Sequence, residues 1–269
     1  MALPPFARTD PRSIGGAPRG PIGSAPPPPP PPVQLVLSAK RETWRMHDQG
    51  HEEADAEFRI RRDSILARDR HMCKGVGCGF ISMKWQEVHH RDDNHRDNDD
   101  ANLATLCGFC HSVFHVGLAS ENGSLLIWLP DIGDHVSQGE LNRIVRTLYV
   151  GMAQSSGGVG EACRTIIGAL QKRANLLAER IGFCDPRILG EVFLKMSSSA
   201  YRDRDEKLFG VRLLCGPHKR IGGRDMWSDA MTYWNSKDGP YGGLQPSTWP
   251  TLFRQLNKLL GSDVVNPNG

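Results

Sequence analysis

The chain has 269 residues, of which 39% are hydrophobic and 23% charged, a composition typical of soluble globular proteins. Its formal net charge of +3 neither indicates nor excludes a nucleic-acid partner, because non-specific nucleic-acid binders usually carry a larger basic excess. No apolar run approaches the roughly 20 residues that span a bilayer, and the N-terminus lacks the apolar stretch of a signal peptide. The expected location is therefore the cytoplasm, without insertion into a membrane.

The N-terminal segment, residues 1–32, contains almost no large apolar residues and ends in consecutive prolines over residues 26–32. Such a segment buries too little surface to offset the entropy lost on ordering, so we predict a disordered tail that ends in polyproline II. A stiff spacer is the preferred role for these prolines, and a ligand for an SH3-like partner is the alternative.

Residues 33–120 are predicted to form a compact domain. Its predicted elements are strands over residues 33–38 and 81–90 and a helix over residues 58–72. Residues 41–46 are expected to continue or pair with the first strand. Just beyond this domain, residues 124–129 predict a short buried strand that stops at Pro130.

The remaining region, residues 121–269, is predicted to be mainly helical. A capping box formed by Ser137 and Glu140 marks the start of its first helix. Further helices are predicted over residues 161–181, from Pro186, over residues 201–209 and from about residue 247. Residues 216–243 are rich in Gly and Trp and are predicted to be a loose stretch, and about the last 45 residues are predicted to be a Gly- and Trp-rich extension.

Two cysteine pairs indicate a metal site: Cys73 with Cys78, and Cys107 with Cys110. Each pair is predicted to form a knuckle, a tight turn whose free amides point at the sulfurs and stabilise thiolates. Four thiolates are the ligands that a tetrahedral structural Zn²⁺ requires, and they leave no open position for catalysis. In a reducing compartment such pairs are more often ligands than disulfides. The other three cysteines lack this spacing and are predicted to be small buried apolar residues: Cys163, Cys184 and Cys215.

Histidines lie between and beyond these knuckles. His89 and His90 close the strand predicted over residues 81–90, Asn102 follows, and His111 and His115 stand four residues apart after the second knuckle. In order and type these residues resemble the HNH, or ββα-metal, endonuclease family.

The resemblance implies a role for each of these residues. Phosphodiester hydrolysis requires a base that activates water and a cation that neutralises the developing charge. His89, His111 and His115 are implied as ligands of a second metal ion, which would be Mg²⁺, Mn²⁺ or a second Zn²⁺. His90 is implied as the general base, and Asn102 as the asparagine that fixes the loop and orients this base.

Other interpretations of this region stay open. Histidines near a zinc knuckle can instead be solvent-exposed or bonded to the backbone. The loop over residues 91–100 contains five aspartates and two arginines, and its negative charge would repel a phosphate backbone beside it. The arginines of the preceding helix supply either phosphate contacts or a solvated face, and the solvated face is preferred. These arginines are Arg59, Arg61, Arg62, Arg68 and Arg70.

A longer series of segments, spread over residues 33–220, is similar to the IcmJ (DotN) family of type IVB secretion systems. The segments are residues 41–46, 65–71, 78–80, 124–130, 139–143, 184–191 and 206–214. This resemblance implies a cytoplasmic subunit of the coupling complex, which gathers effector substrates around a membrane-anchored ATPase. It also implies an HNH-like zinc fold that is reused as a scaffold.

The sequence thus predicts an α+β fold, a zinc-stapled HNH or ββα-metal module followed by a mainly α-helical C-terminal half. The preferred function is a cytoplasmic adaptor, held at the inner membrane through a partner. That partner would be the type IV coupling-protein ATPase or a related secretion subunit. The alternative is a divalent-metal-dependent endonuclease that cleaves or nicks DNA. The adaptor is preferred because its resemblance covers more of the chain, and fold similarity alone does not carry function.

Overall fold

The computed structural model describes residues 30–39, 51–92, 94, 97–129, 136–154, 157–221 and 223–260. The chain divides into two units, Met1–Pro31 and Pro32–Gly269. Nearly all of the predicted disordered tail lies outside the described residues, as do residues 41–46. Within the described residues no helix is long and apolar enough to cross a membrane.

The first part of the larger unit has the order helix, strand, strand, helix, helix. Its elements are α1 (His51–Arg68), β1 (Gln86–His90), β2 (Leu103–Cys107), α2 (Gly108–Ser112) and α3 (Val116–Ala119). The strands β1 and β2 form an antiparallel pair in which His89 faces Ala104 and His90 faces Leu103. This hairpin positions the second cysteine pair, because Cys107 is the last residue of β2 and Cys110 lies in α2, which follows directly.

The second part of the unit is mainly helical. Its elements are β3 (Leu125–Trp128), α4 (Gln138–Gln154), α5 (Gly158–Ile181), α6 (Pro186–Lys195), α7 (Ser198–Arg202), α8 (Arg204–Lys207), β4 (Val211–Leu214), β5 (Arg220–Ile221), β6 (Arg224–Asp225), α9 (Met226–Trp234) and α10 (Trp249–Leu260). The mixed helix and strand content agrees with the predicted α+β class.

Several predictions from local signals are confirmed. The N–H of Ser137 donates to Glu140 Oε2 at 2.7 Å, and the N–H of Glu140 donates to Ser137 Oγ at 3.3 Å, which is the predicted capping box. Pro186 opens α6 after an Asp185 cap, and the strand expected over residues 124–129 is β3. The two helix starts are predicted correctly because each capping side chain lies within a few residues of the N–H group that it binds.

Other predicted elements have different bounds. The helix expected over residues 58–72 is α1, which ends at Arg68 because Arg70 and His71 adopt φ values of 56° and 52°. The strand expected over residues 81–90 is confined to β1. In place of a strand over residues 33–38, the structure has an extended segment with one bridge, from Val33 to Gly75.

The C-terminal predictions are wrong in two places. The helix expected over residues 201–209 is divided into α7 and α8. The stretch over residues 216–243 contains the β5–β6 hairpin and α9, and Asp225 caps α9 by accepting from the N–H of Trp227 at 3.1 Å. Trp and Tyr have modest helix propensity, which obscured α9, but it buries Trp227, Ala230, Met231 and Trp234 at helical spacing. The tryptophans therefore pack in the core.

One hydrophobic cluster includes residues on both sides of the predicted domain boundary at residue 120. Phe109 stacks on Trp227 with ring centroids 4.0 Å apart, and the cluster continues through Leu141 of α4 and Leu213 of β4. The strand β4 pairs antiparallel with β3, placing Leu126 opposite Leu213. The division into domains at this residue stays a prediction.

A buried carboxylate joins the end of α1 to the β1–β2 hairpin. Asp69 is 2% exposed, and its Oδ2 accepts from the N–H of Thr105 at 2.9 Å while its Oδ1 accepts from Arg68 Nε at 3.0 Å. Burial raises the pKa of Asp69, but the hydrogen bonds from Arg68 and Thr105 lower it further, so the net pKa lies below its usual value.

We expect Asp69→Ala to destabilise the protein by about 2 kcal/mol, because it leaves the buried N–H of Thr105 without its acceptor and Arg68 without its carboxylate partner. A lowered folded-state pKa contributes stability that is complete above the unfolded-state pKa and is lost as the pH falls through the folded-state value. The loss measured by urea unfolding should therefore be the same at pH 6 and pH 8. Asp63→Ala is the control, since the Asp63 side chain is 86% exposed. Equal stabilities of the two variants would contradict the prediction.

Candidate metal centre and neighbouring histidines

The two cysteine pairs converge on one point. The sulfurs of Cys73, Cys78, Cys107 and Cys110 all lie within 4.8 Å of one another, and all four residues are buried. Cys78 Sγ and Cys107 Sγ are 3.8 Å apart, far beyond the roughly 2.05 Å of a disulfide bond. The four residues form no disulfide, and their role as zinc ligands stays a prediction.

Backbone turns position the first pair. The N–H of Cys73 donates to the carbonyl of Phe80 at 2.8 Å, and the N–H of Cys78 donates to the carbonyl of Gly75 at 3.0 Å. Gly77 and Gly79 have φ values of 78° and 58°, which glycine adopts without strain. The chain therefore doubles back between Cys73 and Cys78 and turns both side chains inward.

The sulfur cluster is compact enough to hold a metal ion, and one of its sulfur–sulfur distances can be compared with a tetrahedral zinc site. With Zn–S bonds of about 2.3 Å, a tetrahedron places its sulfurs about 3.8 Å apart. The measured separation of Cys78 Sγ and Cys107 Sγ is 3.8 Å. The residues thus fit a metal such as zinc, which would supply structural cross-linking here because four sulfurs complete its coordination.

Two side chains of α4 contact the sulfurs. Arg146 Nη1 donates to Cys107 Sγ at 3.4 Å and approaches Cys78 Sγ at 3.9 Å. Asn142 Nδ2 donates to Cys110 Sγ at 3.5 Å. Hydrogen bonds with Cys107, Cys110 and Cys73, and to a smaller extent the charge of Arg146, hold the pKa of the Cys78 thiol far below its usual value, whereas hydrogen bonds with Cys107 raise the pKa of the Cys73 and Cys110 thiols. The surroundings thus favour thiolate, the form that binds metal, at Cys78. No signal in the sequence marked Asn142 or Arg146.

Three of the predicted histidines lie close to one another. The ring of His89 is 5.3 Å from that of His111, centroid to centroid, and stacks on Phe114 at 4.1 Å. His111 Nε2 and His115 Nε2 are 3.2 Å apart. The ligand atoms of these histidines do not all lie within 4.8 Å of one another, and among the described residues only the four thiols form such a set.

The histidine group includes a carboxylate that the sequence analysis missed. Glu87 Oε2 lies 2.6 Å from His111 Nδ1, and Glu87 Oε1 accepts from Lys219 Nζ. Burial raises the pKa of Glu87, but Lys219 and His111 outweigh it and hold the pKa far below its usual value. Glu87 stands two residues before His89 on β1, so strand alternation could have placed both on one face. Lys219 has no comparable signal.

His90 and Asn102 lie apart from this group. The ring of His90 is 4% exposed, stacks on Phe58 at 5.1 Å and has its Nε2 3.0 Å from Asn98 Oδ1. Asn102 Nδ2 donates to Asp92 Oδ1 at 2.8 Å and to the carbonyl of Asp97 at 2.9 Å. Asn102 thus fixes the loop after β1. The roles implied for both residues stay predictions.

The acidic loop contacts the arginines of α1. Arg61 Nη1 lies 3.0 Å from Asp100 Oδ1, and Arg68 donates to the carbonyls of Asp100 and Leu103. Arg62 Nη2 donates to the carbonyl of Gln86 at 3.0 Å. These three arginines are engaged within the protein. Residues 93, 95 and 96 of the loop lie outside the described residues.

Comparison with known proteins identifies a relative of this chain. The chain is 27% identical over 186 residues to the type 4 apparatus protein DotN of Legionella pneumophila, an alignment that covers 67% of this chain and 83% of DotN. No family model matches the chain. The similarity to DotN supports a relationship with the type IV secretion family.

Proposed function

We propose that this chain is a cytoplasmic, zinc-binding adaptor subunit of a type IVB secretion or conjugation coupling complex, built on an HNH nuclease-like fold. The observation that carries the proposal is the similarity to DotN, which extends over 83% of that protein. The partner is a coupling-protein ATPase or a related secretion subunit, through which the chain is held at the inner membrane.

The metal centre supports a structural role for zinc within this proposal. Cys73, Cys78, Cys107 and Cys110 would complete the coordination of the ion, so no position remains for water or a substrate. A closed site of this kind stabilises a fold without acting on a ligand. The chain can then offer its outer surfaces to a partner.

The helical half supplies apolar surface for such a partner. Apolar side chains at least two-fifths exposed occur on two of its helices: Ile166, Leu176 and Ile181 of α5, and Ile188, Val192 and Leu194 of α6. Burying such side chains would contribute most of the free energy of association. The helical half is therefore the proposed binding surface for the partner.

The histidine group is proposed as the counterpart of the HNH metal site. His89, His111 and His115 would be the ligands of a second divalent ion, with His90 and Asn102 as the residues that a nuclease would use for catalysis. In the adaptor these residues serve the fold, since His90 packs on Phe58 and Asn102 binds the acidic loop. The alternative function, a DNA endonuclease, is not favoured by the similarity to DotN.

The test is a copurification from the native cell, using the full-length tagged chain. We expect the coupling-protein ATPase to copurify with the wild type and equally with His90→Ala, because an adaptor needs no general base. Zinc content and circular dichroism establish that the variant is folded.

Two results would contradict the adaptor function. Wild-type protein that nicks plasmid DNA with Mg²⁺ or Mn²⁺, when His90→Ala and His115→Ala do not, would establish the endonuclease. Wild-type protein that recovers no secretion component above a mock purification would contradict the adaptor.

A further inference from the structure

Arg146 is a buried cation whose polar contacts are sulfurs. Its side chain is 1% exposed and lies over the ring of Phe80, with the guanidinium carbon 3.6 Å from the ring centroid. Its Nη1 is 3.4 Å from Cys107 Sγ and 3.9 Å from Cys78 Sγ. Among the ion pairs of the described residues, none joins Arg146 to a carboxylate.

A buried guanidinium requires a buried negative charge. Arg remains protonated in proteins, so it cannot escape the cost of burial by losing its proton. An uncompensated buried charge costs several kcal/mol, and neutral thiols would leave Arg146 in that condition. Four thiolates on one divalent ion carry a net charge of minus two, and Arg146 offsets half of it.

Asn142 is held in the orientation that favours a sulfur contact. Its Oδ1 accepts from Gln138 Nε2 at 2.9 Å, so its Nδ2 is turned toward Cys110 Sγ at 3.5 Å. Gln138 is itself fixed, because its Oε1 accepts from the N–H of Leu213 at 2.8 Å. The amide of Asn142 is therefore assigned by its neighbours.

We propose that Arg146 and Asn142 are positioning residues of the metal centre, which donate from α4 to three of its four sulfurs and slow the release of zinc. N–H donors and a positive charge stabilise the sulfur charge and hold each thiolate in its binding orientation. This inference rests on the zinc-binding part of the proposed function and is independent of the partner.

The test measures release of zinc from the full chain to excess 4-(2-pyridylazo)resorcinol at neutral pH. Removing an outer-sphere partner typically weakens metal binding 10–100-fold, so we expect Arg146→Met to release zinc roughly 10–100-fold faster than the wild type. Arg146→Lys keeps the charge without the planar fork and should fall between them. Arg143→Met, on the exposed side of the same helix, should release zinc at the wild-type rate.

A spectroscopic measurement separates this role from simple packing. In the Co²⁺-substituted protein, loss of the Arg146 donor raises the energy of the sulfur electrons, so the sulfur-to-cobalt charge-transfer band should shift to longer wavelength. A side chain that merely fills space would lower the melting temperature and leave this band in place.

The following results would contradict the proposed role of Arg146 or the zinc-binding function on which it rests. Equal release rates and equal Co²⁺ spectra for Arg146→Met and Arg143→Met would overturn the proposal. If Arg146→Met does not fold, Arg146→Lys takes its place, and release at the Arg143→Met rate would overturn the proposal in the same way. Wild-type protein that binds no zinc would contradict the zinc-binding part of the proposed function itself.

Discussion

Replacing Cys110 by serine should abolish zinc binding and unfold the protein at 25 °C. Serine offers a hard oxygen in place of a thiolate, so the site keeps only three soft ligands. Structural zinc contributes roughly 10 kcal/mol or more of folding free energy in small sites, whereas a whole domain is stable by only about 5–15 kcal/mol. The substitution also leaves the Arg146 charge in the core with less negative charge around it.

Zinc stoichiometry by elemental analysis and circular dichroism together measure this result. Cys163→Ser is the matched control, since Cys163 is also a buried free thiol but does not belong to the sulfur cluster. We expect the control to keep its zinc and lose only the modest stability associated with a small core substitution. A folded Cys110→Ser protein with a full complement of zinc would contradict the assignment of the ligands.

Gly139→Ala should destabilise the protein by about 3 kcal/mol, although alanine is the better helix former. Gly139 lies in the first turn of α4, directly against the first knuckle. A Cβ there would stand 2.8 Å from the N of Cys78 and closer still to the carbonyl oxygen of Val76. Because both atoms belong to the backbone, the helix and the knuckle would have to separate.

Gly168→Ala is the control for helix propensity. Gly168 lies within α5, and a Cβ at this position would meet nothing within 4 Å. This variant should be more stable than the wild type by about 0.5–1 kcal/mol, because alanine loses less backbone entropy on folding. Urea unfolding of the zinc-loaded proteins measures both changes. If Gly139→Ala and Gly168→Ala changed the stability in the same direction, the proposed steric conflict between residue 139 and the first knuckle would be wrong.

Several local features of this protein can be predicted from its sequence alone. The two cysteine pairs, the capping box of Ser137 and Glu140 and the opening of α6 at Pro186 each depend on a few neighbouring residues. Their partners are close in the chain, so the spacing alone specifies the geometry. The opposite orientations of His89 and His90 follow in the same way from the alternation of a strand.

The long-range partners of these features could be identified only from the tertiary structure. Arg146 reaches Cys78 across 68 residues of chain, Lys219 reaches Glu87 across 132, and β4 pairs with β3 although the two strands are far apart in sequence. No local pattern distinguishes a buried arginine from the exposed arginines of α1, because a charge becomes a core residue only when folding brings its counter-charge to it. The cysteine spacing thus pointed to the sulfur cluster, and only the packing of the helical half placed Arg146 and Asn142 against it.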